Sequence, residues 1–246
     1  MTFTSQDMQK LETLMNQSSE NRELLQKLLD YHQYCLSQVS HEIRNPLALV
    51  YSTLQLIEST HPEVLTIRHW DHLRNDIEYM KVLLEELSKY NNGDHVSMET
   101  LNLRPFLKRI VLSFAASLTD TDIEFTSRID PAIPTINGDK IKLQELLLNL
   151  LRNAKDAVHP TGSITLSAYL KDKEVVIEIS DTGCGIPEEH LETIFSPFVT
   201  HKKDGTGLGL AIVQKAIAAH AGTIVVDSEP GIGTKFTVRL PIQHDC

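Results

Sequence analysis

The chain has 246 residues, of which 41% are hydrophobic and 23% are charged, a composition typical of a soluble globular protein with one large domain or two small ones. Its formal net charge of -10 argues against general nucleic-acid binding, which needs a basic face. The three cysteines, Cys35, Cys184 and Cys246, lack the spacing of a metal site or a redox pair, and an odd number fits a reducing, cytoplasmic compartment.

Residues 1–30 form the first predicted segment, which carries leucines at helical spacing and is expected to continue into the next helix. It lacks the apolar core of a signal peptide, and no apolar run of about 18 residues follows anywhere, so no membrane span is predicted. The segment is too short for a folded sensory domain. We therefore expect a signal to arrive from an upstream sensor protein or from a sensor domain that this sequence lacks.

Residues 31–97 have the pattern of two long helices joined near His61-Pro62. Apolar residues recur with alternating four- and three-residue spacing, which predicts a coiled-coil-like seam. The rows of the first helix are Leu36, Ile43, Val50 and Ile57, and Ser40, Leu47 and Leu54; those of the second are Trp70, Ile77 and Leu84, and Leu73, Met80 and Leu87. One hairpin buries such seams poorly, so we predict a homodimer with a four-helix bundle. The alternative is that the hairpin packs onto the second half of the chain.

The first helix contains the octapeptide Ser40-His41-Glu42-Ile43-Arg44-Asn45-Pro46-Leu47. His41 lies beside the seam position Ser40, and Asn45 shares its helix face four residues later. Pro46 lacks the N–H that would bond to the Glu42 carbonyl, which predicts a local bend. An exposed helical histidine is often an ordinary surface residue, but this combination also suits a nucleophile if the rest of the chain binds a reactant.

Residues 98–246 follow a polar linker between Tyr90 and Glu99 and alternate between strand and helix patterns. The predicted helices cover residues 103–118, 140–158, with Asp139 as its cap, and 206–220. The predicted strands cover residues 123–129, 163–170, 174–180, 223–228 and 234–240. We therefore predict an α+β protein of two domains, in which the second is a two-layer α/β sandwich with a mixed sheet.

Three motifs in the second domain have residues suited to a nucleotide. The glycines of Gly205-Thr206-Gly207-Leu208-Gly209-Leu210 open a helix, where backbone N–H groups and the helix dipole favour phosphate. In Asn149-Leu150-Leu151-Arg152-Asn153-Ala154, the Asn153 amide oxygen suits Mg²⁺, which takes few protein ligands, and Asn149 supports it one turn earlier. In Asp181-Thr182-Gly183-Cys184-Gly185, Asp181 can accept a hydrogen bond from the exocyclic amine of adenine, and Gly183 and Gly185 leave room for a flat base.

Each of these motifs is common in purely structural roles, and the P-loop and dinucleotide-binding glycine patterns are both absent. Their order after the histidine helix is more specific. From about residue 31 to the C-terminus, the chain resembles sensor histidine kinases of two-component signalling. Its short lid, residues 186–204 with Phe195-Ser196-Pro197-Phe198 and Thr200-His201-Lys202-Lys203, is similar to that of the nitrogen-regulation and sporulation kinases.

The resemblance implies a dimerisation and phosphotransfer hairpin followed by a Bergerat-type ATP-binding domain that uses ATP and Mg²⁺. It implies that His41 attacks the γ-phosphate, that Glu42 hydrogen-bonds its other ring nitrogen, and that an aspartate of a response regulator receives the phosphoryl group. Asn45 resembles the residue that positions water for regulator dephosphorylation.

The nucleotide contacts implied are Asn149, Asn153, Asp181, Gly183, Gly185, Lys202, Gly205, Thr206, Gly207, Leu208 and Gly209, with Asn153 on the metal. One departure is Asp156, where many relatives carry a basic residue. The alternative functions are an ATP-binding scaffold, or pseudokinase, that does not phosphorylate itself, and an ATPase of the anti-sigma serine kinase type, which would lack the histidine hairpin.

Overall fold

The computed structural model of the chain describes residues 10, 13–91, 96–202 and 205–242. The chain divides into two compact units, one up to residue 92 and one from residue 93. The sequence predicted a boundary near residue 98, and residues 92–95 of the predicted linker lie outside the described residues, as do Lys203, Asp204 and Cys246.

The first unit is a hairpin of two long helices, as predicted. Helix α1 covers Ser19–Thr60 and α2 covers Trp70–Asn91, with a 3-10 turn over Pro62–Thr66 between them. The Ser18 side chain accepts a hydrogen bond from the Asn21 N–H at 3.0 Å, which caps α1. Helix α1 ends just before Pro62, the expected breaker, and continues through Pro46.

Half of the heptad pattern is buried inside this hairpin. Leu47 and Leu54 of α1 form one buried cluster with Ile77 and Leu84 of α2, and Ser40 of the same row is also buried. The buried Ser40 hydroxyl donates a hydrogen bond to the Leu36 carbonyl at 2.7 Å, so its polar group is satisfied. The other rows stay exposed within one chain, by 37 to 50% of each side chain, at Leu36, Ile43, Val50, Leu73 and Met80.

The second unit is an α/β sandwich built on a mixed sheet, which confirms the predicted fold class. Its helices are α3 (Leu103–Ala116), α4 (Lys140–Val158), α5 (Glu188–Leu191) and α6 (Gly209–Ala219). Its strands are β1 (Glu99–Asn102), β2 (Asp122–Ile129), β3 (Thr135–Gly138), β4 (Thr161–Lys171), β5 (Glu174–Asp181), β6 (Thr223–Glu229) and β7 (Gly233–Pro241).

Five strands form the main sheet in the order β2-β4-β5-β7-β6, and β1 pairs antiparallel with β3 in a separate two-stranded sheet. Within the described part of the chain, β2 and β4 pair in parallel and the other neighbouring strands of the main sheet pair antiparallel. Helix α4 packs on β4 and β5, and its leucines Leu147, Leu150 and Leu151 are almost fully buried in the core. Asn149 and Asn153 are four residues apart on the same helix and therefore share one face.

The predicted elements differ from the observed ones in two respects. The short elements β1, β3 and α5 were not predicted. Helix α6 begins at Gly209 instead of Thr206, because Gly207 has a φ of 70°, in the left-handed region that interrupts a right-handed helix.

Candidate functional site

The start of α4 is fixed by Asp139, the predicted cap. Its carboxylate accepts hydrogen bonds from the N–H groups of Ile141 at 2.9 Å, Lys142 at 3.1 Å and Ser97 at 2.8 Å. Burial alone would raise the pKa of Asp139, but these hydrogen bonds outweigh it, with help from the Lys142 charge, and the pKa is lowered. Asp139 is therefore a stable anionic anchor for the helix that carries both asparagines.

A buried histidine completes this anchor. His220 Nε2 accepts a hydrogen bond from the Asp139 N–H at 2.8 Å, and His220 Nδ1 lies 2.7 Å from the Ala216 carbonyl. Since a carbonyl can only accept, Nδ1 carries the proton. His220 thereby links the end of α6 to the beginning of α4.

Asn149 lies between α4 and α6. Its side chain is buried, and a side-chain carbon added at Gly209 would lie 3.8 Å from Asn149 Oδ1. The structure thus brings the Asn149 face of α4 beside the first residue of α6, two features that are 60 residues apart in sequence.

Asn153, one turn further along α4, contacts the lid. Lys202 Nζ lies 2.9 Å from Asn153 Oδ1 and 2.7 Å from Asp156 Oδ2. Both ends of the ion pair are about half exposed, so its contribution to stability is at most about 1 kcal/mol. The family resemblance implied Lys202 as a nucleotide contact and singled out Asp156 as a departure from many relatives, but it did not predict that these two side chains pair. Lys155, which precedes Asp156 in the sequence, donates a hydrogen bond to the Ser117 carbonyl at 3.0 Å.

Asp181 is the last residue of β5 and is only 7% exposed. Its Oδ1 accepts hydrogen bonds from Gly183 N–H at 2.9 Å and Thr234 N–H at 3.3 Å. Burial raises the pKa of Asp181, opposed by these two hydrogen bonds and by the charge of Lys202. Both backbone donors use Oδ1, which leaves Oδ2 as the oxygen that can accept from a ligand.

The loop after Asp181 is held by backbone packing on two sides. Cys184 N–H donates to the Ala157 carbonyl at 3.1 Å, and Gly231 N–H donates to the Cys184 carbonyl at 2.8 Å. A side-chain carbon at Gly183 would lie 2.5 Å from the Ala157 carbonyl carbon, and one at Gly185 would collide with the Glu229 carbonyl. The protein's own packing thus requires both glycines, and their predicted role in admitting a flat base stays a prediction.

Sequence analysis missed two residues that support Asp181. Besides the Thr234 N–H, the Thr234 hydroxyl lies 2.9 Å from Ser228 Oγ, and Ser228 Oγ also accepts from Ile186 N–H at 2.8 Å. The stretch Pro230-Gly231-Ile232-Gly233 lies between the strands predicted over residues 223–228 and 234–240, and no functional residue was predicted next to it. The threonine that follows it, placed opposite Asp181 in the β5–β7 register, is a polar residue in a buried strand and was the available signal.

The second glycine motif meets the lid. Phe198 N–H donates to the Gly207 carbonyl at 3.0 Å, and a side-chain carbon at Gly207 would lie 2.5 Å from the Phe198 carbonyl carbon. Leu208 is the buried N-cap residue of α6, and its N–H donates to Thr206 Oγ1 at 3.3 Å. Gly205 is half-buried. This motif therefore sits against the lid as well as at the helix start.

The lid itself begins with α5. The rings of His190 and His201 stack with centroids 3.7 Å apart, which places the loop before Lys202 over the end of α5. Lys202 is the last lid residue before the two that lie outside the described residues.

His41, Glu42 and Asn45 are all exposed on α1 in the first unit. Arg44 Nη1 lies 3.2 Å from His41 Nδ1, and Arg44 Nη2 lies 3.4 Å from the Leu84 carbonyl of α2. Among the described residues, Glu42 makes no hydrogen bond to His41, and His41 Nδ1 faces Arg44. The predicted role of Glu42 stays a prediction.

The described parts of the chain contain no cluster of three or more His, Cys, Asp or Glu side chains that could hold a metal ion. An ion at Asn153 would therefore need ligands from a bound nucleotide and from water, which is the usual coordination of Mg²⁺. In the same parts of the chain, no helix has the length and apolar character needed to span a bilayer.

Comparison with known proteins agrees with this geometry. Residues 138–244 match the family described as histidine kinase-, DNA gyrase B- and HSP90-like ATPases. The signal transduction histidine-protein kinase AtoS of Escherichia coli K12 is 31% identical over 84% of this chain and 34% of its own length. The chain spans 34%, 48% and 44% of the length of the first three curated relatives that it matches.

Two solved structures share the fold. Full-length ShkA in complex with AMPPNP is 26% identical, covers 87% of this chain and 46% of its own, and superposes with a TM-score of 0.72. The catalytic domain of the histidine kinase ThkA is 30% identical, covers 59% of this chain and 96% of its own, with a TM-score of 0.55. The resemblance predicted from the motifs is confirmed. The chain belongs to the sensor histidine kinases and carries an ATPase domain of the histidine kinase, DNA gyrase B and HSP90 type.

Proposed function

We propose that this chain is an ATP-dependent protein histidine kinase that phosphorylates itself on His41 and passes the phosphoryl group to an aspartate of a response regulator. The main observation that supports ATP binding is that residues from distant parts of the sequence meet at Lys202. This lysine is bonded to Asn153 on α4 and is close enough to Asp181, at the end of β5, to act on its pKa. Residues from the lid, the asparagine motif and the first glycine motif therefore lie near one another.

Asp181 and the glycine motif are the proposed ends of an ATP site. Oδ2 of Asp181 is the acceptor for the exocyclic amine of adenine, since Oδ1 is held by Gly183 and Thr234. The backbone of residues 205–209, with Thr206 and Leu208, faces the phosphates at the start of α6, where N–H groups lack helical partners. The AMPPNP bound in the related ShkA structure supports this assignment.

Asn153 is the proposed Mg²⁺ ligand, with Asn149 behind it. A cationic group already lies at Asn153 Oδ1, since the Lys202 ammonium is 2.9 Å away, so the site suits positive charge. When bound, Mg²⁺ neutralises phosphate charge during transfer. Lys202, displaced from Asn153 and Asp156, is then free to contact the phosphates.

His41 is the proposed nucleophile. A ring nitrogen with a free lone pair forms a bond to the γ-phosphorus while the bond from that phosphorus to the bridging oxygen breaks, and ADP leaves with the electron pair. The other ring nitrogen keeps its proton and can donate a hydrogen bond to the Glu42 carboxylate. The exposure of His41 and Glu42 supports access by both ATP and a receiver domain.

Asn45 is proposed to position water for hydrolysis of the phosphorylated regulator. It is exposed one turn after His41 on the same helix, so a receiver aspartate placed against His41 would also meet the Asn45 amide. The chain would then act as both kinase and phosphatase.

Two copies are proposed to pair through the exposed heptad rows. Leu36, Ile43 and Val50 of α1 and Leu73 and Met80 of α2 leave an apolar face on each hairpin. A second hairpin would cover it and complete a four-helix bundle. Light scattering on the purified chain tests this, and a monomer at micromolar concentration would contradict it.

The decisive experiment is labelling with γ-³²P-ATP and Mg²⁺. We expect an acid-labile, alkali-stable label on the wild type that is lost in His41→Ala and kept in His32→Ala, an exposed histidine of the same helix. A label that survives in His41→Ala would move the acceptor elsewhere. Nucleotide binding without any label in the wild type would favour the ATP-binding scaffold.

A further inference from the structure

We infer that Arg44 is a positioning residue that restrains His41 by fixing the tautomer of its imidazole ring. The inference rests on the proposed role of His41 as nucleophile. It assigns to Arg44 a function that differs from phosphate or substrate binding: holding the ring in a form that cannot attack.

The geometry at the ring gives the first step. Arg44 lies one turn after His41 on α1, and its Nη1 is 3.2 Å from His41 Nδ1. A guanidinium has five N–H donors and no acceptor. A neutral imidazole has one donor nitrogen and one acceptor nitrogen, so the nitrogen that faces Arg44 must be the acceptor. The proton of His41 is therefore on Nε2.

Neither nitrogen is then available for attack on phosphorus. The lone pair of Nδ1 points into the hydrogen bond with Arg44, and Nε2 carries the proton in place of a lone pair. Glu42, which can only accept, cannot bond to Nδ1 in this state because Nδ1 has no proton to donate. Attack through Nε2 requires the proton to move to Nδ1, and that requires Arg44 to leave.

The second contact of Arg44 gives the restraint a structural origin. Arg44 is half-buried, and its Nη2 lies 3.4 Å from the carbonyl of Leu84 on α2. Leu84 is itself one of the buried residues of the hairpin seam. The guanidinium thus spans from the nucleophile to the second helix, and a shift of α2 against α1 would change the position of Arg44 at His41. Signal-driven helix movement could reach the reactive ring by this route.

The tautomer can be measured without ATP. The full chain is labelled with ¹⁵N-histidine and measured at alkaline pH, where histidine side chains are neutral. Long-range ¹H–¹⁵N correlation spectra then distinguish the Nδ1–H tautomer from the Nε2–H tautomer. The signals of His41 are identified by their loss in His41→Gln. We expect mainly the Nε2–H form in the wild type and a shift toward Nδ1–H in Arg44→Met. Arg44→Lys keeps a donor-only cation and should keep the wild-type pattern.

Autophosphorylation provides the second readout. Arg44→Met should label about three- to tenfold faster than wild type, the range expected for losing one exposed charge-assisted hydrogen bond. Arg22→Met is the matched control, since Arg22 lies on the same helix and bonds to Asn16. If Arg44→Met does not fold, Arg44→Leu, which also removes the donor, compared with Arg44→Lys provides the same contrast.

A wild-type ring in the Nδ1–H form, or a tautomer unchanged in Arg44→Met, would overturn the inference. So would unchanged or slower labelling of a folded Arg44→Met variant. A failure of the proposed function looks different, because a wild type that binds ATP but takes no label leaves the tautomer result intact.

Discussion

The ammonium group of Lys202 donates a hydrogen bond to the amide oxygen of Asn153 over 2.9 Å. The same ammonium pairs with the Asp156 carboxylate at 2.7 Å. A lid cation thus covers the oxygen that we propose for Mg²⁺, so binding of the ion and release of the lid lysine are mutually dependent. Substitutions of Asn153 and of Asp156 test the two contacts of Lys202 separately.

Replacing Asn153 with alanine removes the proposed protein ligand of Mg²⁺ and leaves Asp181 in place. We expect Mg²⁺ to lose its effect on AMPPNP affinity, so that titration calorimetry with Mg²⁺ and with EDTA gives the same dissociation constant, and autophosphorylation to disappear. Asn137→Ala, at an exposed amide of β3, is the control. A Mg²⁺ effect that persists in Asn153→Ala would place the ligand elsewhere.

Replacing Asp156 with asparagine removes the charge that holds Lys202 against α4. Mg²⁺ and nucleotide then no longer have to break this ion pair, so we expect affinity for Mg-AMPPNP to rise by up to about fivefold, the limit for an exposed ion pair. Asp120→Asn, at an exposed carboxylate outside the site, should leave affinity unchanged. Weaker binding in Asp156→Asn would mean that Asp156 itself helps to hold the ion.

The sequence predicted the elements whose signals are local. The two heptad helices, the five strands of the main sheet and the Asp139 cap all follow from periodicity or from a side chain and its nearest backbone. Strands β1 and β3 have only four residues each, too few for a periodic signal. The start of α6 was misplaced because its position depends on the φ of Gly207, which the pattern of residues does not reveal.

The contacts that define the candidate site could not be predicted in the same way. Lys202 is 46 residues from Asp156, and Thr234 is 53 residues from Asp181. Each pair meets only because the sheet and α4 bring distant segments together. The motifs indicated which residues belong to the site, but the pairing of Lys202 with Asp156 depends on tertiary packing. The pairing of Arg44 with His41, one turn apart on α1, depends on side-chain conformation.

Asp139→Ala should destabilise the second unit. The change leaves the N–H groups of Ser97, Ile141 and Lys142 without their acceptor, and loss of a helix cap lowers the free energy of unfolding by about 1 to 2 kcal/mol. Because the pKa of Asp139 is lowered in the fold, the wild-type advantage is present at neutral pH and is lost as pH falls through the folded pKa.

Urea unfolding at several pH values measures this difference, and hydrogen exchange reports on the first turn of α4 directly. Asp120→Ala is the control for removing an exposed carboxylate. An Asp139→Ala variant with wild-type exchange at Ile141 and Lys142 would show that the cap does not stabilise the helix start.

Asp181→Asn should stabilise the fold and weaken nucleotide binding. Burial raises the pKa of Asp181, so the folded state favours the protonated carboxyl, and wild-type stability falls as pH rises from about 3.9, the ordinary value, through the folded pKa. Asparagine does not titrate, and its oxygen can still accept from Gly183 and Thr234. The side-chain nitrogen that replaces Oδ2 in Asp181→Asn is a hydrogen-bond donor, so it cannot accept a hydrogen bond from an adenine amine.

Thermal unfolding of both proteins from pH 4.5 to 8 tests the stability part: the advantage of Asp181→Asn should grow with pH and then level off. Calorimetry with AMPPNP should show lost or strongly reduced binding. An Asp181→Asn variant that binds normally would assign base recognition to another residue, and one that is less stable at neutral pH would mean that the carboxylate's hydrogen bonds outweigh its burial.

Asn45→Ala should separate the two proposed activities. The side chain is exposed on α1, so its removal should change stability by no more than about 0.5 kcal/mol and leave autophosphorylation within about twofold of wild type. Dephosphorylation should be lost, because no amide remains beside His41 to orient water. A receiver domain labelled by the wild-type kinase and then purified gives the measurement, with Gln38→Ala, an exposed amide before the octapeptide, as control. Normal release of phosphate in Asn45→Ala would show that water is positioned by another group.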